Sequence, residues 1–440
     1  MRVIAFALAA ISGRRVAPIL MSTPTITARN LVTFSVPFTY NASRHAYSRT
    51  DDYLFAQLIP YIGSKRKLLP LIGRAITGVL AVQSANPPEM TFADLFAGSG
   101  VVGRAAKQMG FRVVANDWEP YAEAINGAFI GLNAAPICTT VFDELNSLPP
   151  CDGFVTQNYC PRDDSDCDPA KERMFYTRAN GMRIDAIRTQ IEEWELSGEL
   201  TRDQKYFLLA PLLSAASYVS NTSGVFKAYH AGWGGQTRTA HYRILSDLRV
   251  SAPPLCDNGR DNVVTRLDAL AAARQLSESF CGGCDIAYLD PPYNQHPYGS
   301  NYHMLNTIAL YDRPEVPGMV HGGKSAIRTD WRTERRSAFN TASMALPALE
   351  EIVDALPCRW VLMSYSTDGN IPVEALVASL SQRGAVRVET RRYKRYRVSA
   401  QRMSQKSHNV EFVLVLDKQG KHRTVDQLEC LEAIAAAASD

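Results

Sequence analysis

The chain lacks an apolar run long enough to cross a membrane, a disulfide framework and a strong net charge. None of its apolar stretches approaches the roughly 20 residues that a membrane-spanning helix needs, so the sequence excludes an integral membrane protein. Nine cysteines among 440 residues, odd in number and irregularly spaced, favour a reducing, cytoplasmic compartment. A net charge of +3, from 47 basic and 44 acidic residues, does not by itself identify an acidic partner.

Cysteine spacing gives little support for a metal site. The one CxxC pair, Cys281–Cys284, has no second pair with which to complete a zinc site. Cys151, Cys160 and Cys167 lie near each other without a histidine beside them. We therefore expect ordinary thiols and no bound metal.

The N-terminal 56 residues show no sustained hydrophobic periodicity. Arg2 and the apolar run at 3–11 have the outline of a secretory signal, but two arginines follow in place of a clear cleavage site. A start at Met21 is an alternative interpretation. We expect residues 1–56 to be a poorly ordered extension.

From Leu58 onwards, seven apolar segments with the length of strands alternate with helical patterns. These strands are predicted at residues 91–96, 111–117, 262–267, 285–289, 360–365, 386–389 and 411–416. Strands that alternate with helices predict an α/β fold with a mainly parallel sheet and right-handed crossovers. With 46% hydrophobic residues, the chain can bury a large core.

The alternation stops between residues 145 and 254. Helical stretches at 184–196 and 204–219 are followed there by a polar, glycine-rich run at 221–239. We expect a mostly helical domain, residues 145–254, inserted into an α/β domain that comprises residues 57–144 and 255–440.

A glycine-rich loop follows the first predicted strand. Gly98, Gly100 and Gly103 satisfy GxGxxG where a helix begins. Glycines at such positions let the backbone turn sharply and let a ligand approach the main chain. The second strand ends at Asp117, whose carboxylate can accept both hydroxyls of a ribose. The pattern favours a nucleoside-containing cofactor, with a dinucleotide or a ligand-free turn as alternatives.

A second motif, Asp290-Pro291-Pro292-Tyr293, directly follows the predicted strand at 285–289. The prolines stiffen the chain, so the loop projects a carboxylate and an aromatic ring from the carboxyl end of a strand. The amine of a nucleobase is a poor nucleophile because its lone pair is delocalised into the ring. Hydrogen bonds from that amine to Asp290 and to the Pro291 carbonyl would free the lone pair, while Tyr293 stacks on the base. A proline-rich turn with a capping aspartate is the alternative.

Together these motifs resemble the adenine-N6 DNA methyltransferases that use S-adenosylmethionine, and their order resembles the Dam-like α group. A segment at 61–67, YIGSKRK, comes first, the FAGSG loop second and DPPY third, after an insert. The resemblance implies a Rossmann-like methyltransferase fold with a mainly parallel, seven-stranded sheet. It also implies that the insert is a target-recognition domain.

The resemblance assigns roles to individual residues. Asp290, Pro291, Pro292 and Tyr293 match the catalytic tetrapeptide, and we expect Asp290 to accept hydrogen bonds rather than to act as a base with a raised pKa. Family members often have tryptophan where Tyr61 stands and glycine where Ser64 stands. The residues expected at S-adenosylmethionine are Tyr61, Lys65, Asp94, Phe96, Gly98, Gly100, Asp117 and Asp268.

Duplex DNA is the expected partner. Between Arg383 and Lys406, nine basic residues against one acidic residue give a local net charge of +8. Such a segment suits phosphates and a displaced strand, although a charged, solvated strand edge is the alternative. The residues expected at DNA are Arg391, Arg392, Lys394, Arg395 and Arg397, with Lys227 and Arg238 from the insert. We also expect a monomeric state, and family habit adds a cognate restriction endonuclease.

Three other functions remain open at this point. Related tetrapeptides act on other planar amines and amides, so RNA or a protein glutamine is an alternative methyl acceptor. A nicotinamide-dependent oxidoreductase would explain the glycines but not DPPY. A DNA-binding regulator that has lost catalysis would keep the fold.

Overall fold

The computed structural model describes residues 52–56, 58–278, 283–319, 325–394 and 408–439. The strands are β1 Thr91–Asp94, β2 Arg112–Asn116, β3 Val263–Thr265, β4 Ile286–Leu289, β5 Trp360–Ser366, β6 Ala385–Lys394 and β7 His408–Asp417. The helices are α1 Asp52–Phe55, α2 Leu69–Gln83, α3 Val101–Gln108, α4 Pro120–Asn126, α5 Val141–Ser147, α6 Phe154–Tyr159, α7 Arg178–Leu196, α8 Arg202–Tyr218, α9 His241–Ile244, α10 Ala269–Glu278, α11 Tyr298–Asn301, α12 His303–Leu310, α13 Ala342–Ala355, α14 Val373–Ser381 and α15 Thr424–Ser439. Short 3-10 turns lie at Lys65–Leu68, Pro87–Glu89, Asp330–Arg332 and Ala338–Asn340, and a π-helical turn lies at Gly127–Gly131.

The seven strands form one sheet in the order β3-β2-β1-β4-β5-β7-β6. Strands β3, β2, β1, β4 and β5 are parallel, and β7 is antiparallel to both β5 and β6. All residues of β4 and β5 are buried, as expected for central strands that are covered on both faces. The predicted α/β fold with a mainly parallel, seven-stranded sheet is confirmed.

The strand order places a crevice between β1 and β4. From β1 the chain proceeds outwards to β2 and β3, whereas β4 and β5 extend the sheet on the other side. In open α/β sheets, ligands bind at such a reversal, beyond the carboxyl ends of the strands. The glycine loop follows β1 and the DPPY tetrapeptide follows β4, so both predicted motifs lie at this point.

Two apolar clusters surround the sheet. One combines strand residues with α10, α13, α14 and α15. The other combines α4 and α12 with helices α5 to α8 of the predicted insert. Because the insert helices share this core with α4 and α12, they are held firmly beside the sheet; the insert boundaries at 145 and 254 stay a prediction.

The structure describes residues 52–56 at the end of the N-terminal stretch, whose expected poor order stays a prediction. Helix α1 lies within the stretch expected to be poorly ordered, and its Tyr53 is buried and donates a hydrogen bond to the Phe129 carbonyl at 2.7 Å. Residues 1–51 lie outside the described residues. Within the described part of the chain, no helix has the length and apolar character needed to span a membrane.

Candidate active site

A cavity of about 420 Å³ opens at the crevice between β1 and β4. This volume lies within the range of small-molecule sites. Its wall brings together residues that are far apart in the sequence, at the carboxyl ends of β1, β2, β3 and β4. The predicted site residues in this wall are Tyr61, Phe96, Asp117, Asp268, Asp290 and Pro292.

The glycine loop turns through backbone conformations that side chains rarely adopt. Gly98 has a φ of +53° and Gly100 a φ of +76°. A Cβ atom on Gly98 would lie 2.6 Å from the Tyr61 hydroxyl, and one on Gly100 would lie 2.1 Å from Oδ1 of Asn126. The loop therefore needs glycine both for its backbone angles and for the space it leaves.

Asp117 ties the loop to the end of β2. Its Oδ2 accepts a hydrogen bond from the Gly98 amide at 2.7 Å, and its Oδ1 accepts one from the Glu119 amide at 2.9 Å. Burial raises the pKa of the Asp117 carboxyl, and these amides oppose the increase. The carboxylate thus fixes the loop and retains lone pairs that face the cavity.

Asp290 is held by two groups at one oxygen. Lys65 Nζ lies 2.9 Å from Oδ1, and the Tyr293 hydroxyl donates to the same oxygen at 2.8 Å. Burial raises the pKa of Asp290, while Lys65 and Tyr293 lower it. The loss of water thus outweighs the pairing with Lys65 in setting this pKa, while the role of Asp290 as a hydrogen-bond acceptor rather than a base stays a prediction.

Lys65 and Tyr293 lie beside the cavity rather than in its wall. The Lys65 ammonium lies 4.6 Å from the centre of the Tyr293 ring, and that ring packs edge-on against Tyr365 at 4.8 Å. The Lys65 side chain is only 5% exposed. The first predicted motif and the tetrapeptide are thus in direct contact, through Lys65.

Tyr61 belongs to an aromatic cluster that contributes to the cavity wall. Its ring stacks on Tyr302 at 5.2 Å and lies 5.4 Å from Tyr298. The Tyr302 hydroxyl accepts a hydrogen bond from the Ile62 amide at 2.8 Å, and the Tyr298 hydroxyl donates to the Ile62 carbonyl at 3.0 Å. These contacts fix the segment that carries Tyr61 and Lys65.

Asp94 is a buried carboxyl group next to the glycine loop. It is 1% exposed, and its Oδ1 has no hydrogen-bond partner among the described residues. Burial raises the pKa of Asp94 well above its usual value, and the nearby Asp290 and Asp117 add to this increase. Three carboxyl groups therefore surround the loop, an arrangement that favours a positively charged ligand.

Sequence reasoning missed several residues of the cavity wall. Trp118 and Glu119 follow Asp117 directly, so their position after β2 was an available signal. Phe339, which packs edge-on against Phe96 at 5.4 Å, comes from a segment that no motif marks. Arg335 lies 3.6 Å from Oε2 of Glu119, and burial raises the pKa of Glu119 to about 7.

Comparison with known proteins agrees with this geometry. Residues 61–319 match the family model of the D12 class N6 adenine-specific DNA methyltransferases. The chain belongs to this family. The predicted resemblance is thereby confirmed, and the chain is an adenine-N6 DNA methyltransferase; the RNA, glutamine, oxidoreductase and inactive-regulator alternatives find no support.

Curated relatives of this methyltransferase are named as Type II methyltransferases or as modification methylases. The Type II methyltransferase M.NlaIII of Neisseria lactamica is 33% identical over 365 residues, which cover 81% of this chain and 99% of the relative. The modification methylase LlaI of Lactococcus lactis is 31% identical over 377 residues, and the chain spans only 54% of that relative. The Type II methyltransferase M.CviAII of Paramecium bursaria Chlorella virus 1 is 30% identical over 344 residues, which cover 77% of this chain and 93% of the relative. No solved structure matches.

The residues expected at DNA lie in two places on the methyltransferase. The Arg391 guanidinium donates to the Lys67 carbonyl at 2.6 Å, so Arg391 also anchors the turn that carries Lys65. Arg392 and Lys394 lie in β6 with side chains outside the described set, and Arg395 and Arg397 lie outside the described residues altogether.

The insert contributes a second surface. Lys227 is half-buried, and burial lowers the pKa of its ammonium, whereas Arg238 is exposed. The glycine-rich run around Arg238 borders an open cleft of about 1240 Å³ between α8 and residues 246–254. Among the described residues, no group of histidine, cysteine, aspartate and glutamate side chains is arranged to hold a metal ion.

Proposed function

We propose that the chain transfers a methyl group from S-adenosylmethionine to the N6 amine of an adenine flipped out of duplex DNA. One observation carries the proposal: the Asp290 carboxylate, held by Lys65 and Tyr293, lies in the wall of the same cavity as Asp117 and Asp268. A hydrogen-bond acceptor for an amine and the acceptors for a nucleoside therefore share one enclosed space.

The residues of the cavity suit S-adenosylmethionine. Phe96 and Phe339 provide apolar walls for an adenine ring, and Asp268, which precedes α10, faces the same space. Asp117 suits the ribose hydroxyls, while Asp94 and the glycine loop suit the positively charged methionine end. When bound, the cofactor supplies a methyl group made electrophilic by its sulfonium sulfur.

The tetrapeptide positions the amine of the target. Asp290 and the Pro291 carbonyl accept hydrogen bonds from it, which localises the nitrogen lone pair towards the methyl donor. Tyr293 packs against the base, and its own ring is supported by Tyr365. Alignment and fixed charges, rather than a strong base, lower the barrier.

The target adenine reaches this cavity only by leaving the duplex, at a cost of a few kcal/mol. We infer that Arg391, Arg392, Lys394, Arg395 and Arg397 bind DNA phosphates, and that Lys227 and Arg238 bind DNA from the insert. Phosphate contacts position a protein on DNA, whereas base contacts specify sequence. Residues 145–254 are the target-recognition domain in this proposal.

We further infer that the enzyme is a monomer and protects DNA against a cognate restriction endonuclease. The protective role is supported by the names of its relatives, which include Type II methyltransferases and a modification methylase.

The test is methyl transfer from labelled S-adenosylmethionine to duplex DNA and to RNA, together with base-resolution mapping of modified adenines in expressing cells. Asp290→Ala should abolish transfer and largely spare cofactor binding measured by calorimetry. Asp285→Ala, which lies at the opposite end of β4, is the matched control and should retain activity. Labelling of RNA alone, or loss of cofactor binding in Asp290→Ala, would contradict the proposal.

A further inference from the structure

Glu411 on β7 lies at the edge of the proposed active site, and no motif marks it. In the sheet it is directly opposite Ser366 of β5 and Arg391 of β6. Residues directly opposite in antiparallel pairs project from the same face. Arg391 donates from this face to the Lys67 carbonyl at 2.6 Å, so the turn that carries Lys65 packs beside Glu411.

The Glu411 carboxyl group has an unsatisfied atom. Its Oε2 is buried and has no hydrogen-bond partner among the described residues. An unpaired buried carboxylate oxygen is costly, so such a group needs a partner in at least one functional state. The Lys65 ammonium interacts favourably with the ionised form of Glu411, whereas the Asp290 and Asp368 carboxylates repel it.

The Lys65 ammonium has one more N–H donor than its contacts with Gly63 and Asp290 use. An ammonium group carries three N–H donors. Two of them are directed at the Gly63 carbonyl, at 3.0 Å, and at Oδ1 of Asp290, at 2.9 Å. The ammonium also lies 4.6 Å from the centre of the Tyr293 ring, and both Lys65 and Tyr293 interact electrostatically with Glu411.

We propose that Glu411 is a positioning residue, which shares the Lys65 ammonium with Asp290 and thereby frees Oδ1 of Asp290 to accept the target amine. The proposal rests on the proposed role of Asp290. While Lys65 and Tyr293 both occupy Oδ1 of Asp290, that oxygen is a weaker acceptor for an incoming amine. An ionised Glu411 draws the ammonium towards itself, and Asp290 keeps its negative charge through the remaining proximity of Lys65.

This arrangement makes the reaction depend on pH. Burial raises the pKa of Glu411 to about 7, Lys65 opposes the increase, and Asp290 and Asp368 add to it. Glu411 is therefore neutral in mild acid and ionised above neutrality. The charged and titratable groups that face it from the neighbouring elements are Lys65, Asp290, Tyr288, Tyr293, Asp368 and Arg391.

The first test is the rate of a single turnover on duplex DNA between pH 5.5 and 8.5, with saturating cofactor. Saturation matters because Glu119 in the cavity wall also has a pKa of about 7, and its ionisation would change cofactor affinity rather than the rate. In the unaltered enzyme the rate should fall about tenfold for each pH unit below 7. Glu411→Gln should be slow at every pH and lack this dependence, whereas Glu411→Asp should regain it.

Glu389→Gln is the matched control. Glu389 lies two residues from Arg391 on β6 and pairs with Arg74 at 3.2 Å rather than with Lys65. It should show the full pH dependence of the unaltered enzyme. Persistence of that dependence in Glu411→Gln would overturn the proposal.

A second measurement requires no methyl transfer. In cofactor-free protein with 13C-labelled lysine, the chemical shift of the Lys65 side chain, assigned with Lys65→Arg, should change near pH 7 as Glu411 ionises and should not change there in Glu411→Gln. A resonance that titrates identically in both proteins would also overturn the role of Glu411. If Asp290→Ala retains methyl transfer, the proposed function of Asp290 fails, while the lysine resonance still reports whether Glu411 and Lys65 interact.

Discussion

Lys65 and Asp290, separated by 225 positions, form an ion pair of 2.9 Å in which the lysine side chain is 5% exposed and the aspartate 17%. Buried charges persist only when they are paired, since an isolated ion loses its hydration. The pair therefore joins the segment that begins the family motifs to the tetrapeptide that ends them. The charge of Asp290 depends on this contact.

Lys65→Met should make the enzyme dependent on alkaline pH. Without the ammonium, burial raises the pKa of Asp290 further, so that at neutral pH a larger share of the carboxyl is protonated and is a poor acceptor. Each unit of pKa corresponds to about 1.4 kcal/mol. We expect a loss of at least about tenfold in the turnover rate at pH 7 and partial recovery by pH 9, measured by methyl transfer at saturating cofactor.

Lys67→Met is the control for this change. Lys67 lies in the same 3-10 turn, its side chain is exposed, and only its backbone carbonyl is used, by Arg391. It should keep the original pH profile. Equal effects of the two substitutions would show that Lys65 acts through the fold of the turn rather than through Asp290.

Gly98→Ala should weaken cofactor binding with a modest loss of stability. The new Cβ would lie 2.6 Å from the Tyr61 hydroxyl, in a backbone conformation with a φ of +53° that alanine disfavours. Both the loop and Tyr61 would have to shift within the cavity wall. We expect the dissociation constant for S-adenosylmethionine, measured by calorimetry, to rise at least about tenfold, equivalent to about 1.4 kcal/mol.

Gly98→Ala combines backbone strain with a steric clash, and Gly198→Ala tests the backbone strain alone. Gly198 follows α7 with a φ of +77°, and nothing lies within 4 Å of the position of its Cβ. This change should cost about 1 kcal/mol of stability through backbone strain alone and leave cofactor affinity unaltered. An unchanged dissociation constant in Gly98→Ala would mean that the cofactor does not bind at this loop.

The fold was largely predictable because its central strands are short, apolar and bounded by turn residues. The prediction for 360–365 differs from β5 by one residue, since burial on both faces leaves a continuous apolar run. The edge strand β6 extends over Ala385–Lys394, well beyond the predicted 386–389. Its outer half is polar and pairs with β7 through backbone hydrogen bonds, which carry no hydrophobic pattern.

The site was predictable where a motif follows a strand. Asp290 comes directly after β4 and the glycine loop follows β1, and these two strands pair side by side in the sheet. The position of Glu411 depends on the antiparallel register of β7 with β5 and β6, which no local pattern specifies. Arg335 and Phe339 reach the cavity from a segment without regular strands, so periodicity gave no signal for them.

The basic segment of β6 should govern the salt dependence of DNA binding. Arg392→Gln with Lys394→Gln should lower the slope of log affinity against log salt by about 0.9 for each lost phosphate contact, without changing the preferred sequence. The measurement is fluorescence anisotropy with a labelled duplex at several salt concentrations. Arg391→Gln differs because it also releases the Lys67 carbonyl, so it should impair turnover as well.

An unchanged slope in the double variant would support the alternative that this strand edge is merely solvated. Arg383→Gln is the control. The Arg383 guanidinium bonds both oxygens of Asp354, at 2.6 and 2.8 Å, and so is committed within the protein. Its loss should leave the salt slope intact.

Glu411→Gln should be as stable as the unaltered protein in acid and more stable at alkaline pH. The folded pKa of about 7 exceeds the ordinary value of 4.5, so folding favours the protonated group. Its contribution to stability is fully present below pH 4.5 and is lost as the pH rises to about 7, with no further loss above that. The shift corresponds to at most about 3 kcal/mol.

Thermal unfolding between pH 4.5 and 8.5 measures this difference, with Glu389→Gln as the control that should not show it. Glutamine has the shape of protonated glutamate and cannot ionise, so the variant keeps the packing and avoids the cost of a buried charge. A gain in stability at pH 8 together with a slower methyl transfer would mean that the charge of Glu411 is kept for catalysis at the expense of stability. A variant less stable than the unaltered protein at pH 8 would instead show that the ionised carboxylate already has a stabilising partner in the folded protein.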